Sequence, residues 1–200
     1  MAPDAVIPYA RRNDWKARIS RDGDTVVKDY RGVRYPHLVL GKLFLDDEET
    51  ALRRLAGVRG VPRFLGRPNP LAIRIEAVPG TPVEKMRKRE RVSEAFLEDL
   101  RRVFSEMHER GVAHGDAHMK NILAAGDAAF VIDFATAWVR GRFPLLDPVV
   151  FPRLARLDDL RVFKVEDAFF HRGEPPRMFF LYRLLKRVNR KKKRRYRHET

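Results

Sequence analysis

The sequence contains no cysteine among its 200 residues. This absence excludes a disulfide scaffold, a thiolate metal site and a cysteine nucleophile. Long apolar stretches are lacking as well: an unbroken run such as residues 128–132 has five members, whereas a membrane-spanning helix needs about 20. Residues 1–14 have neither a basic start nor an apolar segment, so we expect no signal peptide and a cytoplasmic protein.

Apolar residues and positive charge are plentiful. Hydrophobic residues make up 44% of the chain, including 13 Phe, which is typical of a globular protein. The length predicts one domain or one two-lobed unit. The formal net charge is +15, and the last twenty residues contain ten Lys or Arg and one Glu. A mildly basic body with a cationic tail suggests a surface tether or an electrostatic guide.

The first part of the chain is dominated by strand patterns. Residues 15–20 and 25–30 flank Asp22-Gly23, a pair typical of a hairpin turn. Residues 46–55 then show helical spacing, and residues 71–78 alternate like a strand. We therefore predict a small sheet with one helix.

The second part is mainly helical. A helix is predicted from an N-cap at Ser93 to Gly111, followed by a hairpin of residues 121–125 and 129–134. Residues 154–170 and 178–188 are predicted to be helical too. The helix between Ser93 and Gly111 has an apolar face, which consists of Phe96, Leu97, Leu100, Val103, Phe104 and Met107. The order predicts an α+β fold in two lobes, with an N-lobe of residues 1–78, a C-lobe of residues 79–185 and a basic tail of residues 186–200.

The strongest chemical signal is the segment H-G-D-A-H-M-K-N at residues 114–121, followed by V-I-D-F at residues 131–134. Phosphoryl transfer needs a group that orients the attacking hydroxyl and hard oxygen ligands for Mg²⁺. Asp116 supplies a carboxylate and Asn121 an uncharged oxygen. Asp133 ends the second arm of the predicted hairpin, which would return it towards Asn121.

These motifs resemble those of the protein-kinase-like superfamily, in the style of aminoglycoside phosphotransferases, RIO-type kinases and lipopolysaccharide-core sugar kinases. The resemblance implies Asp116 as catalytic base and Asn121 and Asp133 as ligands of Mg²⁺. It gives His118 either a role at the transferred phosphate or none beyond packing and solvation. His114 is expected to brace the loop.

Upstream residues extend the resemblance over about residues 15–170. Lys28, in T-V-V-K, resembles the lysine that binds the α- and β-phosphates of ATP, and Glu48, with Glu49 as the alternative, its partner. The backbone of Glu76 and Ala77 is expected to meet the adenine edge. In many kinases an Asp of a later helix also braces the catalytic loop, a role open to Asp158 or Asp159; the alternative is an ordinary surface carboxylate.

Three departures from the family pattern affect the expected activity. No G-x-G-x-x-G precedes Lys28, and residues 11–14 offer only R-R-N-D as a phosphate-side loop. Ala135 stands where a glycine is usual, and no A-P-E motif follows. Of the related proteins, small bacterial RIO-like and lipopolysaccharide-kinase-like proteins resemble the chain most.

The sequence therefore predicts an ATP- and Mg²⁺-dependent phosphotransferase whose acceptor is a hydroxyl of a lipopolysaccharide-core sugar. The alternatives are a RIO-like Ser/Thr protein kinase and a catalytically weak pseudokinase that acts as a binding module. Residues 186–197 contain nine Lys or Arg. That run favours peripheral attachment to an anionic membrane at its inner face, ahead of nucleic-acid binding.

Overall fold

A computed structural model describes residues 16–86 and 91–170 of the chain. The predicted helix of residues 178–188, the basic tail and the R-R-N-D segment at residues 11–14 lie outside the described residues. The predicted α+β fold is confirmed, because antiparallel sheet dominates the N-terminal lobe (described residues 16–78) and helix the C-terminal lobe (residues 79–86 and 91–170).

A four-stranded antiparallel sheet builds the N-terminal lobe. Its strands are β1 (Arg18–Asp22), β2 (Thr25–Asp29), β3 (Phe64–Asn69) and β4 (Ala72–Glu76). Their order is β1-β2-β4-β3, so β2 lies between β1 and β4, with Lys28 opposite Ile73. The predicted hairpin is confirmed: Asp22 pairs with Thr25, and Gly23 takes the positive φ of 54° that this turn requires.

Helix α1 (His37–Arg54) connects β2 to β3 and begins nine residues before the predicted start at residue 46. The prediction was wrong there because the first half carries exposed apolar side chains, which hide the amphipathic pattern. The buried face consists of Gly41, Leu45, Glu48, Ala51 and Leu52. A carboxylate on such a face needs a cationic partner from the sheet.

The C-terminal lobe consists of three helices and two small sheets. The helices are α2 (Val83–Met86), α3 (Glu94–Glu109) and α4 (Asp147–Phe170). The strands are β5 (Thr81–Pro82), β6 (Val112–Ala113), β7 (Ile122–Ala125), β8 (Ala128–Val131) and β9 (Trp138–Val139). The sheets have the order β5-β7-β8 and β6-β9.

Helix α3 and the hairpin β7–β8 match the predictions. The Ser93 side chain accepts a hydrogen bond from the Phe96 backbone N–H, and all six predicted apolar positions of α3 are buried. The hairpin also forms, although β8 ends at Val131 instead of residue 134. Helix α4 begins seven residues before the predicted start, because Pro148 and Pro152 obscure its first turns.

The two lobes share one continuous hydrophobic core that includes Leu52, Ile73 and Phe134. Gly60 lies where they touch, with its carbonyl accepting from Val131 N–H at 2.8 Å. Its φ is +95°, and a Cβ there would lie 2.5 Å from the Ala129 carbonyl oxygen. No helix in the described part of the chain has the length and apolar character of a membrane span.

Candidate active site

Three charged side chains from separate elements meet between the lobes. Lys28 lies on β2, Glu48 on the buried face of α1, and Asp133 two residues after β8. The Lys28 Nζ donates to both carboxylate oxygens of Glu48, at 2.6 and 2.8 Å, and to Asp133 Oδ1 at 3.0 Å. The sequence favoured Glu48 over Glu49, and in the structure Glu49 instead pairs with Arg53 and Arg67.

The pKa values of this triad follow from burial and charge. Burial alone would lower the pKa of Lys28, but Glu48 and Asp133 outweigh it, so that pKa lies above its ordinary value. For Asp133, burial acts to raise the pKa, and Lys28 more than offsets it, so the net shift is downward. Burial raises the pKa of Glu48 despite Lys28. Lys28 and Asp133 therefore remain charged near neutral pH.

The backbone around Asp133 is shaped to present its carboxylate. Its φ is 69°, and among the described residues it is the only non-glycine with a positive φ. Such a conformation is costly and is common at functional sites. The next residue, Phe134, is fully buried against the His114 ring and donates its N–H to Glu48 Oε1 at 3.4 Å.

The loop of residues 114–121 is held from two sides. The Asn121 side-chain amide donates to the Asp116 carbonyl at 2.9 Å, and the His114 Nε2 lies 3.0 Å from the Ile132 carbonyl oxygen. Below the loop, fully buried Asp158 of α4 accepts from the backbone N–H of His114 at 2.7 Å and of Gly115 at 3.1 Å. Of the two candidates in the sequence, Asp158 therefore braces the loop.

The side chains of Asp116 and His118 are open to solvent. Asp116 Oδ1 lies 3.5 Å from His118 Nε2, and their exposed fractions are 39% and 49%. Neither residue lines the cleft described next, but both lie on the same short loop as Asn121, which does. This position leaves the Asp116 carboxylate accessible to a second substrate.

A cleft of about 570 Å³ lies between the lobes. Six of the eight predicted site residues line it: Lys28, Glu48, Glu76, Ala77, Asn121 and Asp133. Apolar side chains, including Val26, Pro62, Leu123 and Ile132, cover much of the remaining wall. A cleft with an apolar wall at one part and a cation at another suits a flat base joined to an anionic chain.

Glu76 and Ala77, whose backbone is expected to meet the adenine edge, line the cleft, but their N–H groups are already paired. The Ala77 N–H already donates to the Asp24 carbonyl at 2.8 Å, so this group is not free for an adenine edge. The Glu76 N–H likewise bonds to the Arg63 carbonyl, and its carboxylate to Arg63. Val78, which was not predicted, also lines the cleft. The sequence did not indicate Val78, because a shift of one residue along the predicted strand cannot be detected from spacing alone.

The donor set favours a cation that arrives with a substrate. Among residues 16–86 and 91–170, no group of three or more His, Asp or Glu side chains could hold a metal ion. Asn121 and Asp133 offer oxygen atoms to the same cleft. Mg²⁺ commonly takes one or two carboxylates and completes its coordination with phosphates and water. The residues present therefore fit Mg²⁺ bound together with a nucleotide.

Lys120 is a cation at this site that the sequence analysis did not single out. It is exposed, it precedes Asn121, and its charge helps to lower the pKa of Asp133. A lone Lys between two motif residues has no distinctive spacing, so only the folded loop shows that it lies near the carboxylate.

Part of the chain matches a known protein family. Residues 82–142, which contain the loop and Asp133, match the model of the Lipopolysaccharide kinase (Kdo/WaaP) family. No curated protein matches the chain in sequence.

Solved structures of WbdD share the fold. One, described as the bifunctional kinase-methyltransferase WbdD, is 19% identical with a TM-score of 0.52, and the alignment covers 71% of this chain and 34% of that one. For monomeric WbdD the values are 18%, 0.59, 86% and 40%. For a high-resolution WbdD structure they are 19%, 0.51, 74% and 36%.

This chain thus spans between 34% and 40% of the length of those WbdD chains. The matches confirm the predicted resemblance to lipopolysaccharide-kinase-like proteins and the two-lobed kinase-like fold. The family match over residues 82–142 also supports the prediction that the chain is a kinase.

Proposed function

We propose that this protein transfers the γ-phosphoryl group of ATP to a hydroxyl of a lipopolysaccharide-core sugar. The observation that carries the proposal is the contact of Lys28 with both Glu48 and Asp133 inside the interlobe cleft. A buried cation fixed by two carboxylates, beside an apolar wall, suits a triphosphate whose base lies against that wall.

Each side chain has a distinct task in the proposed reaction. Lys28 binds the α- and β-phosphates, and Glu48 holds its ammonium group in place. Asp116 orients the acceptor hydroxyl and accepts its proton as the oxygen attacks the γ-phosphorus, while ADP leaves. His118, whose Nε2 lies 3.5 Å from that carboxylate, would contact the transferred group. Positioning and charge supply most of the catalysis in such reactions.

Asn121 and Asp133 would hold Mg²⁺. When bound, the ion would neutralise phosphate charge. The hydrogen bond from the Asn121 amide to the Asp116 carbonyl fixes the distance along the loop between the metal ligand and the base. Glu76, Ala77 and the neighbouring Val78 form the wall that would face the adenine.

The acceptor is proposed from the match of residues 82–142 to the lipopolysaccharide kinase family. A RIO-like Ser/Thr protein kinase is the rival, because the same loop could accept a protein hydroxyl. Only 13 residues separate Asp133 from the start of α4, which leaves little room for the platform on which many kinases hold a polypeptide. This short segment favours the sugar.

Mg²⁺-dependent ATP turnover tests the proposal. We expect label from γ-labelled ATP to enter glycolipid in a membrane extract, and Asp133→Asn to reduce turnover by about 100-fold or more, since it removes a charged metal ligand. The control is Asp22→Asn, at the exposed end of β1, which should retain parental turnover.

The other outcomes separate the alternatives. Label in polypeptide instead of glycolipid would favour the protein kinase. Equal background rates of ATP turnover for the parent and Asp133→Asn would exclude an active enzyme and favour the pseudokinase binding module. Ala135 and the missing glycine-rich loop are the features that favour this alternative.

The basic tail is proposed as an electrostatic tether to an anionic membrane, which would place the protein at the inner face of the cytoplasmic membrane. Clustered Lys and Arg favour such surfaces. This attraction is screened by salt, so tail-driven binding to anionic vesicles should fall steeply between about 0.1 and about 0.5 M salt. Binding that is insensitive to salt would contradict it.

A further inference from the structure

We propose that residues 143–149 form a membrane-inserting tip that enters the surface of an anionic bilayer beside the catalytic loop. The proposal concerns a surface other than the basic tail, and it does not require the chain to be an active kinase.

The tip exposes four large apolar side chains within seven residues. Leu145 is 94% exposed, and Phe143, Leu146 and Val149 are about half exposed, at 49%, 50% and 51%. Among the described residues, Leu145 is the most exposed large hydrophobic side chain. Contiguous apolar exposure of this kind marks a surface that contacts a partner or a membrane.

Hydrogen bonds hold the tip in this exposed position. The Asp147 carboxylate accepts from the Trp138 indole N–H at 2.8 Å and from the Gly141 N–H at 2.7 Å. The backbone N–H groups of Leu146 and Asp147 both donate to the Phe143 carbonyl, at 2.9 and 3.1 Å. These hydrogen bonds fix the backbone of the turn in the conformation that leaves Leu145 and Leu146 exposed.

The charge around the tip is suited to anionic lipid. Residues 140–156 contain four Arg, of which Arg142 pairs with Asp47, and a single acidic residue, Asp147, whose carboxylate faces the two N–H donors. Arg153 and Arg156 are exposed on α4, next to the apolar residues. Apolar side chains bordered by arginines are typical of peptides that lie in a lipid interface. A nearly fully exposed leucine on a turn that is bordered by exposed arginines favours an anionic bilayer over a protein.

The tip shares its support with the catalytic loop. A Cβ on Gly115 would lie 3.0 Å from the Thr136 carbonyl, so the loop packs against the segment that leads from Asp133 to the tip. The same helix that begins at the tip carries Asp158, which braces the loop. Insertion of the tip would therefore fix the orientation of the loop relative to the lipid surface.

The test compares vesicle binding of the full chain with that of Leu145→Asp/Leu146→Asp. Vesicles contain phosphatidylglycerol and phosphatidylcholine, and bound protein is separated by flotation at about 0.5 M salt, where the basic tail is screened. We expect the double variant to bind at least about tenfold more weakly, since it lacks the two leucines that insertion into the bilayer would bury. The control is Leu65→Asp, at an exposed position of β3, which should bind as the parent does.

Three results would overturn the proposal. The first is equal binding of the parent and the double variant. The second is an equal loss in Leu65→Asp. The third is parental self-association in light scattering that the double variant abolishes while vesicle binding is unchanged, which would make the tip a protein interface. If thermal melts show that the double variant is unfolded, Leu145→Ser replaces it, because a side chain 94% exposed contributes little to packing. Parental ATP turnover of the variant on a water-soluble acceptor keeps this test separate from the proposed reaction.

Discussion

At the scale of single residues, the Lys28 ammonium decides the charge state of the site. Burial shifts the pKa values of Lys28 and Asp133 towards their neutral forms. The attraction between Lys28 and the carboxylates of Glu48 and Asp133 outweighs this effect. Because the pKa of Asp133 is lowered on folding, its ion pair stabilises the fold above the ordinary carboxyl pKa. That contribution is lost as the pH falls through the lowered value. Lys28 mirrors this at alkaline pH, where its contribution is lost as the pH rises through the raised pKa.

We predict that Lys28→Met raises the pKa of Asp133 relative to the parent. Without the lysine, burial acts on the carboxyl with only the weaker charges of His114 and Lys120 to oppose it. Titration of side-chain carboxyl carbons by NMR measures the change. The internal control is Asp99, whose low pKa depends on the Ala129 N–H and Arg102 and should stay where it is. An unchanged pKa of Asp133 in Lys28→Met would show that Lys28 does not set the charge of this carboxylate.

The sequence could indicate which residue types gather, but not their finer contacts. The resemblance to kinase motifs singled out Lys28, Glu48, Asn121 and Asp133, and the structure brings all four to one cleft. The hydrogen bond that occupies the Ala77 N–H depends on the pairing of the chain next to Asp24. Such a cross-strand contact follows from sheet register, which a single sequence does not reveal.

At the scale of elements, helix α4 acts on the site through one buried carboxylate. Asp158 accepts hydrogen bonds from two backbone N–H groups of the loop of residues 114–121 and lies 3.2 Å from His108 Nε2. Its neighbour Asp159 is 56% exposed and lacks these loop contacts.

Asp158→Asn should therefore destabilise the protein by about 1–3 kcal/mol, because an amide cannot accept at both positions and leaves a buried N–H unsatisfied. Urea unfolding at neutral pH measures this. Asp159→Asn is the matched control and should stay within about 0.5 kcal/mol of the parent. Similar losses in both variants would contradict a bracing role.

Elements with a clear period were predicted well, and those without one were not. Helix α3 has a complete apolar face, so its face and N-cap could be predicted. Helix α1 exposes Val39, Leu40 and Leu43 to solvent, which blurs its pattern. Strands β5, β6 and β9 have two residues each, too few for alternation to be recognised.

At the scale of the whole molecule, the close approach of the lobes at Gly60 controls stability. A side chain there would meet the Ala129 carbonyl oxygen and the Val103 side chain, at 2.5 and 2.6 Å. Gly57 has a similar φ of +85°, but a Cβ added there would meet no atom within 4 Å. Comparing substitutions at Gly57 and Gly60 therefore separates the cost of backbone strain from the cost of disturbed packing between the lobes.

We predict that Gly57→Ala costs about 1 kcal/mol, the usual penalty for a left-handed conformation, whereas Gly60→Ala costs about 3 kcal/mol because the lobes must also separate. The free energy of unfolding in urea provides the comparison. Equal costs for the two substitutions would show that the lobes adjust freely at this point.

The ion pairs around Lys28 and the short connection from Asp133 to α4 have a consequence for control of the protein in the cell. Arg142 in that connection pairs with Asp47, the neighbour of Glu48, so the connection is fastened to α1 beside the site. Among the described residues, the ion pairs of Lys28 and Arg142 are already formed with unmodified side chains. If the proposed reaction is correct, the enzyme is competent as soon as it has folded, and its output follows how much of it is made and how quickly its acceptor arrives.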